Sequence, residues 1–151
     1  MTYAKPFMPL VFCLFAVQAQ AAATDCQPLD QPAALALFER WNSSLQSRDP
    51  LRVAALYSDD AVLLPTVSST PRLSAETRID YFRKFLEHGP SGTLNSHVLQ
   101  TACNVATLAG LYTFEFKDDK PPVAARYTFV YRFDGKDWLI SHHHSSAQPN
   151  G

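Results

Sequence analysis

The chain has 151 residues, a formal net charge of −1 and 46% hydrophobic residues. That length suits one domain, the apolar content is enough for a core rather than a disordered chain, and the lack of a basic excess argues against a nucleic-acid partner.

Residues 1–23 read as a signal peptide. Lys5 is their only charge, an apolar run follows from Phe7 to Val17, and both Ala19-Gln20-Ala21 and Ala21-Ala22-Ala23 fit a cleavage site. The run is too short to span a bilayer as a stable helix. Residues 24–151 are then one exported domain, periplasmic or secreted, with no membrane attachment after cleavage. Loss of Lys5 takes the formal charge from −1 to −2. Cys13 leaves with the leader, and Cys26 and Cys103 are expected to pair, as two cysteines in an exported chain most often do. No CxxC or Cys–His arrangement supports a reactive thiol instead.

The mature chain opens on a helix. Asp30 is its N-cap, Pro32 is tolerated in the first turn, and Ala34, Leu37, Phe38, Trp41 and Leu45 recur on one face. Pro50 breaks it. A short second helix is expected to end near Ser58, before the strand "AVLLP". A third helix runs from the cap Ser74 to the stop at Gly89. Four strand patterns follow, beginning "GTLNSHV", "VATLAGL", "VAARYTF" and "KDWLISH", with "DDKPP" and "DG" as hairpin turns. The order is α+β, with three N-terminal helices gathered on one face of an antiparallel sheet.

Alternation along the strands places Tyr127, Phe129, Tyr131 and Phe133 on one face and Arg126, Thr128, Val130 and Arg132 on the other. Leu108, Tyr112, Phe114 and Phe116 share a face, yet Ala109 and Leu111 opposite them are apolar too. Helices cover only one side of a sheet. A second copy of the chain is the simplest cover for the other, so a homodimer or larger oligomer is expected.

The segments "IDYFRKFL", "NSHV" and "DGKDWLISHHHSS" resemble the association domain of calcium/calmodulin-dependent protein kinase II, a nuclear transport factor 2 (NTF2)-like cone. The resemblance covers roughly Leu35 to Gln148, and its most specific part is the last strand. It implies a cone of helices on a curved sheet, self-association, and a pocket lined by arginines. Arg83 matches the helical arginine of that pocket. One strand arginine falls near Thr128, with Arg126 two residues away, and another falls at Tyr112. The kinase itself is absent, since neither its Gly-rich loop nor its catalytic Asp loop is present.

Arg83 lies at the edge of the third helix's apolar stripe, where a guanidinium reaches inward to clamp a carboxylate or pairs with Asp80 or Glu87 outside. Arg126 is its strand counterpart, or an ion-pair partner of Glu115. By strict alternation His142 and His144 point with Trp138 and Ile140, while His143 points with Ser141 and Ser145 toward a partner subunit. A metal site is not expected: the pair lacks an evident third ligand, with His97 the only candidate on another strand. No nucleophile turn accompanies Ser145 or Ser146. The stretch around "RWNSS" and "AVLLPTV" runs parallel to ketosteroid isomerases, but Pro65 stands where their base lies and Trp41 where their tyrosine lies. The resulting reading is an oligomeric domain that binds a small acidic or amphipathic ligand without a cofactor, lined by Arg83, Arg126, Trp41, Tyr112, His142 and His144. The alternatives are a SnoaL-like isomerase, cyclase or hydratase using a histidine in the cone, and a purely structural assembly domain.

Overall fold

A computed structural model of the chain describes Met1 and residues 25–149. The expected leader, save Met1, lies outside the described residues. Helix α1 (Gln31–Gln46) begins where Asp30 accepts the Ala33 amide, and buries Ala34, Phe38, Trp41 and Leu45. Helix α2 (Pro50–Ala54) is a single turn or so, and the second helix thus ends earlier than expected. Strand β1 (Tyr57–Leu64) takes up the residues after it. Helix α3 (Ala75–Phe85) starts in a capping box between Ser74 and Thr77, and runs through a 3-10 turn to Gly89, whose φ of 58° is the left-handed stop.

Strands β2 (Ser91–Ala102), β3 (Val105–Glu115), β4 (Val123–Phe133) and β5 (Trp138–Ala147) form an antiparallel meander. The sheet order is β1-β5-β4-β3-β2, and β1 joins β5 in parallel. The sheet is therefore mixed rather than wholly antiparallel. The connection from β1 to β5 is most of the domain long, so no hairpin dictates the direction in which β1 enters.

The inner face carries the aromatic row expected from alternation. Phe114, Tyr127, Phe129 and Tyr131 are buried, and Phe38 and Trp41 of α1 pack against them. Side-chain amides hold α1 to the edge strand: Asn42 donates to the Gly92 carbonyl and accepts the Gly92 amide, both at 2.8 Å. Where β2 bulges between Leu94 and Ser96, the Ser96 carbonyl comes so close to Gly110 that a Cβ there would sit 2.1 Å from it. Cys26 and Cys103 are disulfide-bonded, and beside them the Gln27 amide donates to Asn104 Oδ1 at 2.8 Å. The start of the domain is thereby pinned to the β2–β3 turn. None of the helices among the described residues is long and apolar enough to cross a membrane.

Candidate functional site

Between α1, α3 and the inner face lies a cavity of about 230 Å³. Its walls are Trp41 from α1, Tyr81, Phe82 and Phe85 from α3, and Tyr112 and Phe114 from β3. The segment after β1 contributes Pro65, Thr66 and Val67, and the β3–β4 hairpin brings Lys120 and Pro121. His143 and Ser145 complete it from β5. Nearly all of this lining is apolar. Among the described residues that line it, Lys120 alone bears a fixed charge and none is a carboxylate.

Two of the expected ligand residues, Trp41 and Tyr112, reach the cavity. The four basic ones do not. Arg83 is 60% exposed and pairs with Asp80 on the surface. The stripe edge it occupies turns outward because α3 buries Arg78 and Phe82 instead. Arg126 is exposed on the outer face, opposite Leu111 of β3 and Ser146 of β5. His142 is half-buried on that same face, opposite Val130. His144 is exposed and lines an open groove with Leu64, Ser68 and Ser146. Among the described residues no arginine lines the cavity.

The inverted histidines have a definite cause. Val130 of β4 pairs with His142, but the next residue, Tyr131, pairs with Ile140. Ser141 is the extra residue of a β-bulge, and its hydroxyl donates to the Val130 carbonyl at 3.1 Å. One inserted residue reverses the parity of everything after it. Ile140 still faces inward, and beyond the bulge so do His143 and Ser145, which are 3% and 6% exposed. His97, the third histidine considered for a metal, lies on β2 against Gln31. Among the described residues no three His, Cys, Asp or Glu side chains gather as a metal site.

His143 ends a buried chain of hydrogen bonds. Trp41 Nε1 donates to the Tyr57 hydroxyl at 3.0 Å, and the Tyr57 oxygen lies 2.9 Å from His143 Nδ1. The imidazole stacks on Phe129 and meets the edge of Trp41. Burial, with smaller contributions from His142 and His144, lowers its pKa to about 3, so it is neutral at any ordinary pH. Burial likewise pushes the Tyr57 phenol well above its ordinary value. Nearby, Tyr112 donates to Ser145, which also meets Thr66, giving the cavity a second polar point.

Arg78, also unforeseen, holds the frame. The register between β1 and β5 slips between Tyr57 and Val62, which strips ladder partners from the intervening carbonyls. Arg78, 1% exposed, donates to three of them: Ala61 at 2.7 Å, Ser58 at 3.0 Å and Asp59 at 3.1 Å. Its guanidinium also sits 5.9 Å from the Tyr57 ring centre. The carbonyls need a donor once the ladder is lost.

Helices packed on one face of a curved five-stranded sheet, with an apolar cavity between them, define an NTF2-like cone. The sequence model of the calcium/calmodulin-dependent protein kinase II association domain matches residues 31–149, and the chain belongs to that family. It is similar to a solved candidate association domain from Xanthomonas campestris, with 44% identity and a TM-score of 0.75, over 85% of this chain and 97% of that one. An NTF2-like protein of unknown function from Pseudomonas putida shares the fold at 22% identity and a TM-score of 0.69, over 79% and 87% of the two chains. So does a candidate dehydratase of the NTF2-like family from Streptomyces avermitilis, at 8% identity and a TM-score of 0.69, over 78% and 94%. No curated protein matches the chain.

Proposed function

We propose that this is an exported association-domain protein that binds a small, mostly apolar molecule inside the cone and self-associates through the outer face of its sheet. The observation that carries the binding reading is the cavity itself: aromatic walls from two helices and the sheet, with a few buried polar atoms set among them. Such a cavity suits an apolar body with one polar point. Lys120 at the hairpin gives an amphipathic ligand's acidic end a partner. A small carboxylate buried deeper would face a neutral imidazole and no counter-charge, which is costly. The disulfide fits an oxidising compartment, and with it export of residues 24–151 after loss of residues 1–23.

Self-association rests on the family and on the outer face. Val98 and Leu111 are 64% and 38% exposed there, and the half-buried Val130 lies on the same face. A second copy of the chain covers this face. Light scattering should show a dimer or larger species that Leu111→Lys shifts toward monomer; a wild-type monomer at high concentration would refute it.

The enzyme reading, a SnoaL-like isomerase, cyclase or hydratase, needs a positioned base. The described lining offers no carboxylate, and His143 is a poor base for the reasons above. The binding reading is tested by calorimetric titration with one- and two-ring aromatics and with short carboxylates. The aromatics should bind, and Val123→Trp, which fills the cavity wall, should remove the binding. Tight binding of short carboxylates unaffected by Val123→Trp would place the ligand elsewhere.

A further inference from the structure

We propose that His143 is a hydrogen-bond donor of fixed tautomer, whose Nε2–H selects a carbonyl oxygen on the molecule held in the cone. The proposal deepens the small-molecule reading and rests on it. The tautomer follows from the order of the chain. Trp41 Nε1 can only donate, so the Tyr57 oxygen accepts its proton. Tyr57 keeps its own proton, and the acceptor in reach is His143 Nδ1 at 2.9 Å. Nδ1 is then the acceptor nitrogen of a neutral ring, and the ring's proton sits on Nε2.

That Nε2 is buried and bonded to no protein atom, on a residue that lines the cavity and is 3% exposed. A buried donor without a partner is destabilising, and an acceptor supplied by a ligand relieves it. The class of acceptor can be narrowed. A carboxylate would bury a charge against a neutral ring. A hydroxyl would bring a second proton needing its own acceptor. A ketone, ester or lactone oxygen brings an acceptor and no proton. The volume, about 230 Å³, exceeds the roughly 150 Å³ that holds benzene in an engineered apolar cavity, so a two-ring molecule fits.

The test uses a matched pair, 1-indanone and indane, titrated into the mature disulfide-bonded protein. The ketone should bind about tenfold more tightly than the hydrocarbon, the range expected for one buried hydrogen bond. His143→Phe should erase that preference while indane still binds. Equal binding of the two by wild type overturns the donor role yet leaves the cavity reading intact, whereas binding of neither overturns the cavity reading on which it rests. Should His143→Phe fail to fold, long-range nitrogen–proton correlations of wild-type His143 decide independently. An Nε2–H pattern persisting to pH 5, and mixed tautomers in Tyr57→Phe, support the assignment. An Nδ1–H or doubly protonated ring in wild type overturns it.

Discussion

The two faces of the sheet are built from adjacent residues of the same strands and have opposite characters. On β5 the inward His143 is stacked on Phe129, hydrogen-bonded by Tyr57 and neutral, whereas His142 and His144 on either side lie on the outer face, half-buried and exposed. The arginines divide in the same way. Arg78 is buried on three carbonyls, and Arg83, five residues later on the same helix, is 60% exposed in a single ion pair. Residue type therefore says little here about role. What separates the members of each pair is whether the surroundings leave them any freedom.

Two experiments probe the buried member of each pair. Arg78→Met removes the donors from the carbonyls of Ser58, Asp59 and Ala61, and on the order of 3–5 kcal/mol of stability is expected to go with them. Denaturant unfolding measures it; a loss under about 1 kcal/mol would mean that water replaces the guanidinium. The second is acid. Because the folded pKa of His143 is about 3 and the ordinary value is 6.5, the unfolded chain takes up this proton first as pH falls. Stability from the neutral ring is complete above pH 6.5 and is lost progressively between 6.5 and 3, by up to about 4 kcal/mol. The groups facing the ring are Tyr57 from β1 and Trp41 from α1, neither of which titrates in that window, with His142 and His144 beside it in sequence. His143→Phe should flatten the acid limb of stability against pH between those limits. An unchanged limb would assign the loss to other groups.

How far the sequence revealed this arrangement depended on periodicity. The caps Asp30 and Ser74, the stop at Gly89 and the inward aromatic row of β4 follow from local rules and alternation, and all lie where those rules put them. The candidate site depended on features that leave no local signature. Ser141 has nothing in its neighbourhood to mark it as a bulge, yet it decides which histidine enters the cone. Tyr57 looked like the end of a helix, because the carbonyls freed after it are satisfied by an arginine some twenty residues away. Arg78 and Arg83 both sit within one amphipathic helix, and only the slipped register of β1 against β5 makes a berth for the first.

Substitution of Arg83 should do far less. Its partner Asp80 lies one turn earlier on α3 and is 61% exposed, so the pair is an ordinary solvated helix contact. Arg83→Ala should change stability by no more than about 0.5 kcal/mol, and should leave binding of 1-indanone unaltered. The arginine-lined pocket expected from the sequence resemblance would imply the contrary. A fall of tenfold or more in ligand affinity on Arg83→Ala, without loss of stability, would show that the side chain swings from Asp80 toward the cone when a ligand is present. No change would leave the neutral His143, with Tyr57 and Trp41 behind it, as the polar contact offered by the cone.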